Sequence, residues 1–487
     1  MPLLLESSHG SDQVVARDGN NGLTAGELHA RYTHLARILR ELNIERLALH
    51  ADNGLDWVVA DMACQAASVC LVPLPTFFSE SQLQHVLESV RPDALICKGS
   101  LQWDALLPGQ VRARHEKITG GLELLLLEPG LQAVELPPGT GKITFTSGST
   151  GKPKGVCLSN EQIVRQAQAL RDAVGLERPR HLCLLPLSTL LENLAGVYTP
   201  LLAGGEIIVP PLAEIGFQGS SALDSRVFVQ TISRYMPDSI ILTPQLLLML
   251  VAAAEAGWQP PETLKFAAVG GGRVSPGLVR RAHELGIPAF EGYGLSECAS
   301  VVSLNTPGDH DHESSGRPLG HLDVHVENGE IVIGGNAMLG YLDEPESWGQ
   351  DRIYSGDLGT ISAEGFLRIG GRSKNLLISS FGRNINPEWV ESEMLAHPML
   401  SDCVVFGEGR PYCVALVSPR DPAANEETIR QFVEQTNARL PDYAQVKNWY
   451  RLPQPLAALD QLLTDNGRPR RQAIESRFQP AIESLYS

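Results

Sequence analysis

A short segment rich in hydroxyl groups, glycine and lysine is the clearest candidate for chemistry in this sequence. Residues 146–155 read Thr-Ser-Gly-Ser-Thr-Gly-Lys-Pro-Lys-Gly. Hydroxyls, unhindered backbone N–H groups and lysines suit a polyphosphate, because its oxygens carry charge and accept several hydrogen bonds. The segment is not a Walker loop, since Lys152 is followed by Pro153 and Thr146 stands where that motif has its first glycine. The alternative is an ordinary surface turn of small residues.

The order of these residues resembles the phosphate-binding signature of the AMP-forming adenylating enzymes. That superfamily includes acyl-CoA synthetases, adenylation domains of peptide synthetases, and luciferases. The segment Glu-Gly-Tyr-Gly-Leu-Ser-Glu at 291–297 is similar to the next family motif, with serine where threonine is usual. The resemblance implies that Tyr293 stacks on adenine, Ser296 meets the α-phosphate and Glu297 binds magnesium. Taken alone, the heptapeptide is equally typical of a capped helix start.

Two later segments extend the resemblance. Tyr-Ser-Gly followed by Asp357 is similar to the family's ribose-binding motif, and Gly-Arg372-Ser-Lys374 is similar to its hinge. A carboxylate can accept hydrogen bonds from both ribose hydroxyls. The resemblance implies that Asp357 and Arg372 hold the ribose, that Lys374 is the pivot, and that Gly382 lines a thiol channel.

Gly270, Gly271 and Gly272 follow a short apolar run. In this interpretation they border the adenine and the acyl tail, because glycines leave room where side chains would block a ligand. Arg273 follows them and is expected on the surface, with contact to a polar substrate group as the alternative. The predicted cofactor-binding residues are Thr146, Ser147, Gly148, Ser149, Thr150, Gly151, Lys152, Lys154, Gly270, Gly271, Gly272, Tyr293, Gly294, Asp357, Arg372, Lys374 and Gly382.

The catalytic residues implied by the resemblance are Arg468, Glu297 and Ser296. Relatives have lysine after the glycine of a Thr-x-x-Gly-Lys pattern, whereas this chain has Arg468. A planar guanidinium is not an ammonium point charge, so adenylation is either slow or uses a reshaped site. The alternative is a solvated basic run that also contains Arg470 and Arg471.

The segment Leu-Pro-Leu-Ser-Thr-Leu-Leu-Glu at 185–192 is similar to the long-chain acyl-CoA synthetase pattern, with Thr189 in place of histidine. Its aliphatic neighbours, and the lack of an aspartate where amino-acid-activating relatives place one, favour an uncharged acyl or aryl tail. The acidic and histidine-rich segment 309–313 is expected to be a solvated loop rather than a metal site.

The resemblance implies a carboxylic acid:CoA ligase that uses ATP and Mg²⁺ and acts on a hydrophobic acid, most simply a medium- or long-chain fatty acid. The alternative acceptors are the phosphopantetheine of an acyl carrier protein, or an amine. A third hypothesis is a nucleotide-binding relative with weakened catalysis. Fold-level membership does not supply the substrate.

The elements that must position these residues alternate between strands and helices. A strand over 142–147, a strand over 156–158 and a helix over 160–174 surround the phosphate segment, with Asn160 as N-cap and Gly175 at the C-terminal end. A second such unit spans 264–290, and antiparallel strands follow over 322–341. The pattern predicts an α/β fold with a small antiparallel β unit.

The pattern of predicted helices and strands changes after Gly371, where a smaller α+β unit begins. We therefore predict an ATP- and acid-binding domain over 1–371 and a mobile C-terminal domain over 372–487. In the smaller domain, a strand over 376–378, helices over 386–395 and about 425–440, and strands at Val404 and Val414 are expected.

Composition limits the remaining possibilities. The chain has 487 residues, of which 43% are hydrophobic and 20% charged, as expected for a globular protein of more than one folding unit. Thirty-nine basic against 56 acidic residues give a net charge of −17, which argues against nucleic acid or an anionic membrane surface as partner. Eight scattered cysteines, no basic leader and no integral membrane segment predict a cytoplasmic protein with reduced thiols.

Overall fold

A computed structural model gives the fold of the chain. It describes residues 9–19, 21–99, 103–107, 109–128, 134–146, 153–218, 222–464 and 467–486. All statements about the fold refer to these residues.

The α-helices lie mostly between strands in the larger part of the chain. They are α1 (Ala25–Glu41), α2 (Leu55–Ala67), α3 (Glu80–Val90), α4 (Trp103–Leu106), α5 (Asn160–Val174), α6 (Thr199–Leu202), α7 (Leu212–Ile215), α8 (Ser225–Tyr235), α9 (Pro244–Glu255), α10 (Pro276–Glu284), α11 (Pro387–Leu395), α12 (Glu426–Asn437) and α13 (Arg471–Ser484). A π-helical segment, Glu192–Tyr198, runs directly into α6.

The strands of the first half are β1 (Val14–Asp18), β2 (Asn21–Thr24), β3 (Arg46–His50), β4 (Cys70–Pro73), β5 (Ala94–Cys97), β6 (Val111–Thr119), β7 (Leu122–Leu127), β8 (Thr140–Thr146), β9 (Lys154–Ser159), β10 (Arg180–Leu182), β11 (Glu206–Ile208), β12 (Phe217–Gln218), β13 (Ala222–Leu223) and β14 (Ser239–Leu242).

The strands of the second half are β15 (Phe266–Val269), β16 (Ala289–Leu295), β17 (Ser300–Leu304), β18 (Arg317–Pro318), β19 (Asp323–Glu327), β20 (Glu330–Gly334), β21 (Gly340–Tyr341), β22 (Arg352–Ile361), β23 (Leu367–Arg372), β24 (Leu377–Ile378), β25 (Asn384–Ile385), β26 (Leu400–Phe406), β27 (Cys413–Pro419) and β28 (Val446–Arg451).

Two large mixed sheets form the body of the molecule within the described residues. One has the order β18-β17-β16-β15-β14-β10-β11-β1-β2, and the other β21-β9-β8-β4-β3-β5-β7-β6. In the first sheet β14, β15 and β16 are parallel, so their carboxyl ends meet at one edge. Ligands of open α/β sheets bind at such edges.

Smaller sheets complete the fold. The antiparallel sheet β19-β20-β22-β23 contains two strands of the predicted 322–341 region, whereas β21 pairs with β9 in a large sheet. The sheet β26-β27-β28 forms the core of the C-terminal unit with α11 and α12. The predicted α/β class, with a larger N-terminal unit and a smaller α+β C-terminal one, therefore matches the architecture. The last strand of the antiparallel sheet, β23, ends at Arg372.

The helix after the phosphate segment shows how local sequence sets an element. It spans Asn160–Val174 and ends at Gly175 in the left-handed conformation, as predicted. Its N-cap is Ser159 rather than Asn160, which corrects the expectation. The hydroxyl of Ser159 accepts from the Gln162 backbone N–H, and the Gln162 side chain accepts from the Ser159 N–H. This reciprocal capping box selects Ser159, because it satisfies two otherwise unpaired donors.

The cysteines agree with the prediction made from composition. All eight cysteines are buried and free, as expected of reduced core thiols. The structure also answers the question of membrane segments. Among the described residues, no helix is both long enough and apolar enough to cross a bilayer.

Candidate active site

A buried carboxylate joins two of the predicted site residues. Asp357 lies on β22 opposite Arg372 on β23, because the register of the two strands pairs them. Nε of Arg372 is 2.8 Å from Oδ1 of Asp357, and the Tyr293 hydroxyl donates to Oδ2 at 2.6 Å. Arg372 also donates to the Ser355 carbonyl at 3.0 Å. The structure thus brings the proposed adenine-stacking and ribose-binding residues together.

Burial shifts the pKa of both the carboxyl group and the phenol in this group upward. Burial raises the pKa of Asp357, while Arg372 and the hydrogen bond from Tyr293 oppose the rise. Burial and the neighbouring carboxylate raise the pKa of Tyr293 well above its usual range. Tyr293 therefore stays a hydrogen-bond donor. Each oxygen of Asp357 keeps a lone pair for a further donor, such as a sugar hydroxyl.

The consecutive glycines directly follow β15 at the carboxyl edge of the sheet. A Cβ atom on Gly270 would meet Leu191 Cδ2 at 3.7 Å, and one on Gly272 would meet Pro244 at 3.7 Å. Gly271 has φ +80°, a conformation that side chains disfavour, with open space around it. Gly294 differs, because its Cβ would lie 1.7 Å from the Ser300 carbonyl oxygen. The close approach of β17 therefore accounts for that glycine without a ligand.

Arg468 reaches this edge from the C-terminal unit. It follows Gly467, whose φ is +72°, in a turn where the Thr464 N–H donates to the Arg468 carbonyl at 2.7 Å. The Arg468 guanidinium donates to the Gly271 carbonyl oxygen. Desolvation and the charge of Arg372 lower the pKa of the Arg468 guanidinium, and the charge of Asp357 opposes this effect. Arg468 is exposed and still contacts the loop that follows β15.

Glu297 lies just beyond β16, in a 3-10 turn that begins with Ser296. Its Oε1 accepts from the Tyr341 hydroxyl at 2.8 Å. Within the described residues its Oε2 takes no hydrogen bond, and neither does the Ser296 hydroxyl. A carboxylate oxygen left open in this way suits a hard cation such as Mg²⁺. The donor set therefore fits the magnesium that the resemblance implies.

The phosphate segment connects β8 to β9. Thr146 ends β8 and pairs with Lys154 at the start of β9. Nζ of Lys154 is 2.7 Å from Oε1 of Glu344 and lies 4.9 Å from the centre of the Tyr341 ring. Lys154 and Glu297 thus flank the same tyrosine. The predicted residues Ser147, Gly148, Ser149, Thr150, Gly151 and Lys152 lie outside the described residues.

Two predicted residues are not brought to this group. Lys374 is exposed in the 3-10 turn Ser373–Asn375 after β23. Gly382 is exposed in the turn between β24 and β25, where its φ is +71° and its N–H donates to Ser379 at 2.8 Å. In the part of the chain that the structure describes, neither residue has a hydrogen bond to another candidate-site residue.

An apolar cavity of about 60 Å³ lies behind the glycines. Its lining includes Leu191 and Ala268 near Gly270, Phe266 and Val301 along the wall, and Val174 at the end of α5. Leu191 also lies against Gly270, so this side chain is next to both the cavity and one of the predicted nucleotide-binding glycines. A water-sized group occupies about 10–15 Å³ on this measure, so the cavity takes about four to six such groups.

The last residue of the 185–192 segment lies in the core beside this cavity. Glu192 is fully buried, and Nε2 of His181 is 3.4 Å from its Oε1. Nδ1 of His181 is 2.9 Å from the Ser239 hydroxyl. Burial raises the pKa of Glu192, and His181 opposes the rise. Thr189 bonds to the Pro186 carbonyl at 2.7 Å, so it closes a turn.

Arg273 corrects another expectation, because it is not a surface residue. Its Nη1 donates to the Ile369 carbonyl at 2.9 Å, and its Nε is buried with no partner among the described residues. Tyr341 was also missed as a neighbour of Glu297. No local pattern marks either contact, since the partners are far apart in the chain.

The segment at 309–313 is a loop, as expected. The acids in this loop bind arginines: Asp309 contacts Arg317, Asp311 contacts Arg368 at 3.0 Å, and Glu313 contacts Arg280.

Comparisons with known proteins identify the family of the chain. The family model described as AMP-binding enzyme matches residues 6–342, and the model described as AMP-binding enzyme C-terminal domain matches residues 374–487. A 2-succinylbenzoate–CoA ligase of Bacillus velezensis is 28% identical over 80% of this chain and 81% of that protein. A mitochondrial medium-chain acyl-CoA ligase of Rattus norvegicus is 25% identical over 80% and 73%.

The solved structure of the anthranilate CoA ligase AuaEII in complex with anthranoyl-AMP has the same fold. It superposes with a TM-score of 0.79 over 96% of this chain and 94% of that one, at 18% sequence identity. The predicted resemblance and fold class are confirmed. The chain therefore belongs to the AMP-binding enzymes and is itself an enzyme of that family.

Proposed function

We propose that this protein is a carboxylic acid:CoA ligase that joins a hydrophobic acid to AMP and then transfers the acyl group to a thiol. The observation that carries the proposal is the position of Leu191, which lines the apolar cavity and also lies against Gly270, one of the predicted nucleotide-binding glycines. This arrangement suits an apolar tail on one side and a nucleotide on the other.

In the first step an oxygen of the substrate carboxylate attacks the α-phosphorus of ATP. A bond from oxygen to that phosphorus forms, the bond to the bridging oxygen of the β-phosphate breaks, and pyrophosphate leaves. Both reactants are anions, so cationic groups must offset their repulsion. Arg468 supplies such a charge from the C-terminal unit, and Lys154 supplies another from β9.

The ligand-binding residues have distinct parts in this proposal. Asp357 and Arg372 hold the ribose, the Tyr293 ring stacks on adenine, and Ser296 contacts the α-phosphate. The phosphate segment, from Thr146 to Lys154, encloses the other phosphates. Magnesium, when bound, neutralises phosphate charge, and Glu297 would hold it.

In the second step a thiol sulfur attacks the acyl carbon, the acyl–phosphate bond breaks and AMP leaves. The proposed C-terminal domain, 372–487, would rotate about Lys374 and bring Gly382 to the thiol channel. We assign residues 1–371 to the domain that binds ATP and the acid. A cytoplasmic location and a place in fatty acid metabolism stay predictions.

The acid is proposed to be a medium- or long-chain fatty acid. The apolar lining of the cavity supports an uncharged tail, and one relative is named for medium-chain acyl groups. Another relative is named for 2-succinylbenzoate, so an aryl acid is the second candidate.

The decisive experiment is product detection by mass spectrometry with purified protein, ATP, magnesium and a panel of fatty and aryl acids, with and without CoA. Accumulation of acyl-CoA supports the ligase, and the best acid defines the class of substrate. Acyl-AMP alone, whatever CoA is supplied, would assign the acceptor to a carrier protein or an amine. Tight ATP binding by calorimetry without turnover of any acid would favour the weakened relative.

A further inference from the structure

The loop formed by residues 270–275 does more than border the candidate nucleotide site, because it also contacts the C-terminal unit. The Arg468 guanidinium donates to the Gly271 carbonyl. At the other end of the loop, the Ser275 hydroxyl donates to Oε1 of Glu393 on α11 at 3.0 Å. The two contacts hold the C-terminal unit against the edge where β15 ends.

Arg273 lies between these two contacts. Its Nη1 donates at 2.9 Å to the carbonyl of Ile369 on β23, the strand that leads into the hinge. Its Nε is buried and has no partner among the described residues. A buried cation with an unpaired donor is costly unless nearby carboxylates compensate it.

The compensating charge comes from both units. Glu291 belongs to β16 of the larger unit, whereas Glu388 and Glu393 belong to α11 of the C-terminal unit. Burial lowers the pKa of the Arg273 guanidinium, and these three carboxylates oppose that effect. If the C-terminal unit rotated away, Arg273 would lose two of them.

We infer that Arg273 is a positioning residue that favours the orientation in which Arg468 reaches the Gly271 carbonyl. The inference rests on the proposed function, in which this orientation serves formation of acyl-AMP. Arg273 touches no substrate in this role. It acts through Ile369 and the carboxylates of α11, and it should affect the first half-reaction more than the second.

The test separates the two half-reactions in Arg273→Met, Arg273→Lys and wild type. Arg273→Met removes the charge that the α11 carboxylates attract, and loss of one such charged interaction typically costs about tenfold. Arg273→Met should therefore form acyl-AMP from ATP and acid about tenfold more slowly, while conversion of supplied acyl-AMP to thioester stays within about twofold. Arg273→Lys, which keeps the charge but not the planar fork, should lie between Arg273→Met and wild type.

Arg280→Met is the matched control, because Arg280 is an exposed arginine on α10 that contacts Glu313 and not the C-terminal unit. It should match wild type in both half-reactions. Equal losses in the two half-reactions of Arg273→Met, or no loss in either, would overturn the inference.

A second measurement does not depend on activity. Hydrogen exchange by mass spectrometry should show faster exchange in β23 and α11 of Arg273→Met than in wild type, with Arg280→Met unchanged. Identical exchange in all three proteins would overturn the inference. If wild type activates no acid, the proposed function fails, yet the exchange data still decide whether Arg273 holds the two units together.

Discussion

The Tyr293 hydroxyl donates to Oδ2 of Asp357 at 2.6 Å, across a sequence separation of 64 residues. Arg372 binds the other oxygen of the same carboxylate. One buried charge therefore fixes both the ring proposed to stack on adenine and the cation proposed to contact the ribose. Because both groups depend on Asp357, its substitution should affect ATP far more than the acid.

The first prediction concerns Asp357→Asn, which keeps the shape of the side chain and removes its charge. We expect kcat/KM for ATP to fall by about 100-fold, since charged hydrogen bonds contribute about 1.5–3 kcal/mol each. KM for the acid should stay within about twofold. The measurement is ATP–pyrophosphate exchange at varied ATP and at varied acid.

Asp351→Asn is the control for this variant, because Asp351 is an exposed aspartate at the end of the same hairpin. It should have wild-type exchange kinetics. An Asp357→Asn protein with unchanged kcat/KM for ATP would remove Asp357 from the ribose site.

The second prediction concerns Arg468, the residue that replaces the usual lysine. Arg468→Ala should slow pre-steady-state pyrophosphate release by about 100- to 1,000-fold, because removal of a single group that stabilises developing charge costs about 2.7–4 kcal/mol. Arg470→Ala provides the matched control. It lies in the same basic run, and its side chain has no hydrogen bond to any described residue. Equal rates in Arg468→Ala and wild type would assign Arg468 to a merely solvated run.

The third prediction uses the length of the cavity. Ala268 is near Gly270, whereas Val174 lies at the end of α5. Ala268→Phe should block most of the cavity and restrict the enzyme to short acids. Val174→Phe should block only the part far from Gly270, so that medium acids remain and longer ones are lost.

The measurement for this pair is kcat/KM across a series of acids of increasing length, with KM for ATP as the internal control. Each methylene excluded from an apolar site costs about 0.8 kcal/mol, or about fourfold in kcat/KM. An identical length profile in wild type and both variants would show that the acid binds elsewhere.

Local sequence was sufficient for the elements around the phosphate segment. The strands on either side of it and α5 follow from apolar alternation, helical spacing and a terminal glycine, all encoded within a few residues. The N-cap was misplaced by one residue because both Ser159 and Asn160 are good caps. Only the reciprocal bond with Gln162 separates them.

The features that could not be predicted from the sequence depend on contacts between residues that are far apart in the chain. Arg273 follows three glycines and is charged, which favours the surface, yet its partner Ile369 lies 96 residues away. Gly294 was predicted as a nucleotide-binding residue, and the approach of Ser300 from the next strand accounts for its lack of a side chain. The cavity depends on how α5 and the π-helical segment pack on the sheet, and no motif encodes that packing.

The last prediction concerns the pH dependence of stability and the carboxyl group of Glu291. Burial raises the pKa of Glu291 from 4.5 to about 7, against the opposing effects of the Ser315 hydrogen bond and Arg273, while Glu313 adds to the rise. Between these two pH values the folded protein holds a proton that the unfolded chain has released. The contribution of Glu291 to stability therefore falls as pH rises through this window, and is constant above it.

Glu291→Gln removes this titration. On going from pH 5 to pH 8, wild type should lose about 2.5 kcal/mol of stability relative to the variant, which corresponds to about 3 °C in Tm for a unit of this size. The measurement is thermal unfolding of both proteins at the two pH values. Glu262→Gln, at an exposed position, corrects for the general effect of removing one negative charge. A difference between wild type and Glu291→Gln that stays constant with pH would show that Glu291 titrates alike in the folded and unfolded chain.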